Sequence, residues 1–158
     1  MSGTGITDFL QDLAAGLVAD SAVQAFCSEK FGKRLRVQIG QSAEANPTTD
    51  ECPIAILIAG SRGTSDDGLI RSRSIRIGLN IEADGSLMDV SQGVKIIAGV
   101  PVIDELSDLV EKFFVSFAQT AGVGIISTPS GGPEDMIENN VFKSWLALGV
   151  QLDSDYRT

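Results

Sequence analysis

Histidine is missing altogether from this chain of 158 residues, and cysteine occurs only twice, at Cys27 and Cys52. The first absence removes the base on which serine and cysteine relays depend and leaves only lysines and carboxylates to move protons. The two scarcities together exclude a zinc site, because the cysteines are far apart and lack the paired ligand spacing of such sites. Reduced core thiols are the reading that suits two such cysteines in a domain of this size, which places the chain in a cytoplasm-like redox environment. Basic charge is also short: 12 lysines and arginines face 21 acidic residues, for a net charge of −9. Such a field repels phosphate, so nucleic-acid binding over the whole surface is excluded, although an acidic wall suits a conduit along which DNA slides without being gripped. No apolar run approaches the ~18 residues of a membrane span. The opening MSGTGITDFLQDLAAG lacks the basic start of an export signal. The expectation is a protein neither exported by a standard signal nor inserted in a membrane.

What is present is ordinary globular material. With 43% hydrophobic and 21% charged residues, the chain has enough apolar surface for a core, and its length fits one domain over residues 1–158. Ile6, Phe9, Leu10, Leu13 and Leu17 recur at helical spacing, with Thr7 as a cap and Asp8 in the first turn. Ser21 caps a second helical stretch with Val23, Phe26 and Phe31, which Gly32 ends; the two are either one bent helix or two short ones. From Leu35 the period changes to two, and Leu35, Val37 and Ile39 define one face of a half-buried strand. Residues 42–51 read as a loop. The β-branched run at 54–59, opened by Pro53, predicts a central strand buried on both faces.

Glycine and short polar residues at 60–68 predict a long, mobile hairpin loop. A two-sided strand follows at 75–81, with Arg71, Arg73 and Arg76 making its start basic. Residues 86–99 form an excursion from the main sheet, with a short strand at 94–98. Pro101 opens the strongest helix, whose stripe is Ile103, Leu106, Val110, Phe113 and Phe117 and which Gly122 ends. Residues 128–140 read as turn material and an exposed acidic linker. A last strand covers 141–152, with Phe142, Leu146, Leu148, Val150 and Leu152 on one face and Trp145 on the other. The fold class that follows is α+β: a mixed, mainly antiparallel sheet of four to five strands with helices packed on one face.

No chemistry-bearing constellation emerges from this layout. Gly60-Ser61-Arg62-Gly63 lacks the lysine and spacing of a phosphate loop, and Gly122-Val123-Gly124 follows a helix rather than a strand. Asp66-Asp67 and Glu134-Asp135 lack the alternating oxygen ligands of a calcium loop. No catalytic, cofactor or metal residue is therefore assigned, and the chain reads as an interaction or assembly subunit rather than an enzyme. The candidate partner-contacting residues are Arg62, Asp66, Asp67, Arg71, Arg73 and Arg76 around the 60–68 loop, as a contact for an acidic neighbour, and Trp145, the single tryptophan, at a subunit interface or under a helix.

The arrangement resembles the tail terminator proteins of long-tailed bacteriophages, the family that includes the lambda U protein. The likeness is carried by the helix at 7–19, the proline-led strand at 53–59, the alternating strand at 75–81, the helix at 102–121 and the last strand around Trp145-Leu146-Ala147-Leu148-Gly149-Val150. It implies a hexameric ring of identical subunits that caps the finished tail tube, stops its polymerisation and presents a surface for joining the head. The implied partners are the subunit itself, the tail tube protein and a head–tail connector protein, with DNA passing through the lumen without specific binding. The implied location is the tail or neck of a virion assembled in the host cytoplasm. Another head–tail neck or connector subunit is the structural alternative, and a small acidic ligand-binding domain or carboxylate-dependent enzyme is the alternative from a different class.

Overall fold

Ile6, Phe9, Leu10, Leu13 and Leu17 share one side of helix α1 (Ile6–Ala19), and all five are buried. The computed structural model describes residues 5–45, 47–64, 71–125, 130–134 and 141–151. Thr7 does not cap this helix: Gly5 precedes it without a side-chain cap, and Thr7 lies inside the first turn. Asp20 then takes an extended conformation that ends α1. Its carboxylate accepts the Val23 N–H at 3.0 Å and so starts α2 (Ser21–Phe31). A carboxylate at the N-cap both fills an orphan donor and faces the positive end of the helix, which explains why Asp20 rather than Ser21 is the cap and why two helices form rather than one bent helix. Gly32, at φ +67°, closes α2 where the sequence predicts.

Four strands cross the sheet at full pairing: β1 (Arg36–Ile39), β2 (Ile54–Thr64), β3 (Arg71–Glu82) and the last strand, with two short edge pieces beyond it. The excursion between β3 and the third helix is a separate two-stranded hairpin, β4 (Leu87–Ser91) and β5 (Val94–Ile97). Helix α3 (Gly99–Thr120) follows, then β6 (Gly124–Ile125), β7 (Ser130–Glu134) and β8 (Val141–Gln151). The sheet order is β1-β2-β3-β8-β6, with β7 also pairing β8. β1 and β2 are parallel, and the other pairs of this sheet are antiparallel. The parallel pair is possible because residues 40–53, including a short 3₁₀ turn at Thr49–Glu51, supply the long return that parallel neighbours require.

Alternation decides the two faces of the sheet. Ala55 and Leu57 on β2, Ile75, Ile77, Leu79 and Ile81 on β3, and Phe142, Leu146, Leu148 and Val150 on β8 share one core with the three helices. The stripe of α3 follows the expected one through Ile103, Leu106 and Val110 and shifts by one position in its last two members. Ile103, Leu106, Val110, Phe114 and Ala118 are buried, while Phe113 and Phe117 flank them and Phe117 meets Phe9 of α1 at a ring distance of 5.9 Å. The helix also starts at Gly99, before Pro101, and a first-turn proline is tolerated there because its missing N–H would have no partner. At the other end Gly122 takes φ +73° and Val123 donates its N–H to the Ala118 carbonyl at 2.9 Å, a closed helix terminus.

Two loop readings are overturned. Residues 60–64 belong to β2, not to a loop; the rest of the 60–68 segment lies outside the described residues. A register shift between Ala59 and Arg62 marks a bulge. A side chain at Gly60 or Gly63 would strike the Ser74 or Ser72 hydroxyl of β3, so these glycines serve close strand approach rather than a turn. Residues 130–134 likewise form β7 rather than turn material, with Pro133 on the edge strand where a lost donor is harmless; residues 128, 129 and 135–140 lie outside the described residues.

Candidate functional site: the arginine end, the outer face and the projecting hairpin

Arg62 and Arg73 are direct cross-strand partners at the distal end of the β2–β3 pair. Arg73 shares parity with the inward residues Ile75 and Ile77 and lies opposite the buried Val150. Its Nε and Nη1 are shielded from solvent and have no hydrogen-bond partner among the described residues. Burial, reinforced by the facing Arg62 charge, pulls the Arg73 guanidinium below its ordinary range. Like charges placed directly opposite one another destabilise a strand pair, and a shielded, unpaired guanidinium adds a desolvation cost. Among the described residues, this end of the sheet therefore carries two facing arginines with no acidic partner for the shielded Arg73 nitrogens. Arg71 pairs with Thr64 at the start of β3, close in sequence to this pair. Asp66 and Asp67 lie outside the described residues.

Arg76 belongs to a different place. Its parity points away from the helices, and its guanidinium stacks over the Trp145 ring at 5.0 Å from the centroid. Such a pair contributes about 0.5–1 kcal/mol at an exposed site. Trp145 is therefore neither under a helix nor in the main core: it is half-buried on the helix-free face. Gly78 is its register partner, and nothing would lie within 4 Å of a side chain at Gly78. The floor between them stays open as a shallow cleft of about 220 Å³, bordered by Ile56, Ile58, Arg76, Asn80, Lys143 and Trp145. The expected single arginine cluster is thus split between two faces.

The hairpin β4–β5 is the third feature, visible in sequence as an excursion with a short strand at 94–98; its first strand, Leu87–Ser91, is not visible there. Leu87, Val90 and Val94 are 62%, 60% and 52% exposed, and Met88 is exposed as well. Every residue of β4 is exposed, so this strand stands clear of the core, while Ile97 at the end of β5 packs against that core. It is anchored at its base, where Ala98 and Gly99 donate their N–H groups to the Ser86 and Asp84 carbonyls at 2.9 and 3.0 Å. Asp84 in turn accepts the Ser86 N–H at 2.8 Å, a bond that holds its carboxyl below the usual range. A two-stranded ribbon is marginal by itself in water, and an apolar patch left in solvent marks a contact surface.

Other polar groups are structural. The Gln24 amide, buried, donates to the carbonyls of Val18 and Leu35 at 3.0 and 3.3 Å and accepts the Leu35 N–H at 2.8 Å, tying α1, α2 and the entry to β1 together. Ser107 of α3 and Ser144 of β8 are hydrogen-bonded at 2.8 Å. Sequence reasoning missed both; their only signal is a polar residue at a position whose helical or strand neighbours are apolar. Burial pushes the Cys27 thiol up to about 11. It raises that of Cys52 as well, and both cysteines are free. Among the described residues no cluster of acidic, cysteine or histidine side chains could hold a metal ion, and no helix is long and apolar enough to cross a membrane.

No family model matches the chain, and no curated protein matches it either.

Proposed function

We propose that this chain is a structural assembly subunit that forms a hexameric ring, caps a bacteriophage tail tube, ends the tube's polymerisation and offers the head-joining surface. The observation that carries the assembly reading is the β4–β5 hairpin, which holds Leu87, Met88, Val90 and Val94 in solvent on a ribbon that needs a partner to be stable. The resemblance of the element pattern to tail terminators supports the specific role, as does a net charge of −9, which lets DNA pass through a lumen without being held. The outer cleft beside Trp145 provides a further contact for the tube and connector proteins. The alternative from the binding class has a specific observation of its own, because the cleft places an aromatic ring beside Arg76 and Lys143. That combination suits a small anionic ligand.

Multi-angle light scattering and negative-stain microscopy, alone and with tail tube protein, test the proposal. Rings are expected for the native chain. Leu87→Ser/Val90→Ser/Val94→Ser is expected to keep the fold, since the hairpin is a separate sheet, and to lose the rings. A native chain that stays monomeric at all concentrations and never associates with tube protein refutes the reading.

A further inference from the structure

We infer that the Arg62–Arg73 end of one subunit seats against the acidic outer stripe of α3 on a second copy, which makes the contact head-to-tail. The inference rests on the ring reading and names the surfaces that meet. Asp104 and Asp108 are exposed and Glu111 is half-buried. Their spacing places all three on one side of α3, with Glu105 beside them. Lys112 is the only basic residue of the helix. Arg62 and Arg73 offer the opposite sign, and the shielded nitrogens of Arg73 have no partner among the described residues.

These two surfaces cannot satisfy each other within one chain. Arg73 pairs with Val150 and Ile81 with Phe142, so they mark opposite ends of the sheet, about 27 Å apart at the usual strand rise. Gly99, the first residue of α3, lies against the Phe142 ring, and β6, just after α3, pairs with Gln151 at the arginine end. Helix and strand therefore run side by side. Asp104 and Asp108 stand only about 8 and 14 Å along the helix from Gly99, on the outer side of a layer about 10 Å from the sheet. Both are farther from Arg73 than the screening length of about 8 Å at physiological salt. The arginine end and the acidic stripe are therefore too far apart to meet within one subunit, and they match between copies. A contact of that kind uses two different patches, so it propagates in one direction and closes into a ring when the rotation allows.

Charge exchange between two variants tests this. Arg62→Glu/Arg73→Glu and Asp104→Arg/Asp108→Arg are each expected to weaken self-association by roughly tenfold or more, measured by sedimentation velocity, because each places like charges face to face. Mixed in equal amounts, they are expected to recover association near the native level. Each variant then presents at both ends the charge its neighbour requires, and the mixed assembly alternates. If Arg73→Glu compromises folding, as circular dichroism would show, Arg62→Glu alone serves, since Arg62 is exposed. Native-like association of either variant by itself overturns the proposed contact and leaves the ring reading standing. Weakened variants that fail to recover on mixing also overturn it, since the arginine end then meets some other acidic surface. A native chain that never self-associates overturns both.

Discussion

Replacing Gly99 by alanine sets two effects of opposite sign against each other. Gly99 is the first residue of α3, and alanine in a helix is favoured over glycine by about 0.5–1 kcal/mol. The added methyl group, however, would lie within 3.0 Å of three atoms of the Phe142 ring. That ring is 2% exposed, so it cannot swing into solvent to make room. Gly99 itself is fixed by its hydrogen bond to the Asp84 carbonyl at the base of the hairpin. Overpacking of a closed core costs about 1–3 kcal/mol, which exceeds the propensity gain. Gly99→Ala should lower stability by about 1–2 kcal/mol net, or about 3–6 °C in Tm for a chain of this size. Urea denaturation of the native chain, Gly99→Ala, Phe142→Leu and the double variant would separate the two effects. The smaller side chain at 142 should remove the clash, so the double variant is expected to be more stable than the sum of the single changes predicts, by about 1 kcal/mol or more. A Gly99→Ala protein as stable as the native one would show that Phe142 has room to move and that the α3–β8 junction is looser than described.

Two further outcomes are expected. Gln24→Glu replaces an amide that donates to two carbonyls and accepts one N–H with an acceptor-only carboxylate. It should cost about 2–4 kcal/mol in urea denaturation at neutral pH and less near pH 4, where protonation restores a donor; a pH-independent cost would refute the assigned bonds. Because folding pushes the Cys27 thiol up to about 11, the unfolded chain releases that proton first, above its ordinary value near 9. Stability is therefore full at lower pH and falls as pH rises from about 9 to about 11, by roughly 2–3 kcal/mol for this group. Cys27→Ala should flatten that alkaline decline relative to the native chain, and equal slopes in both proteins would count against the buried thiol.

Much of the fold was legible because it depends on periodicity. The stripe of α1, the two-sided alternation of β3 and β8 and the apolar run of β2 each state locally which face is inward, and the absence of histidine together with the scarcity of cysteine bounded the chemistry before any fold was known. Tertiary structure decided what local pattern leaves open. Gly60, Gly63 and the Gly131-Gly132-Pro133 stretch carry turn signals, yet pairing with β3 and β8 makes them strand, because a neighbouring strand supplies hydrogen bonds and spacing that no local signal encodes. The cap passed from Ser21 to Asp20, whose carboxylate reaches the Val23 N–H, and the end of the α3 stripe passed from Phe113 and Phe117 to Phe114 and Ala118, a shift that depends on how α3 meets the sheet. Arg62, Arg73 and Arg76 read alike in sequence as surface charge. Alternation along β3 already separates Arg73 from Arg76; only the bulge after Ala59 and the pairing register set Arg62 against Arg73 and placed Arg76 over Trp145, because no local pattern encodes which residues face one another across strands.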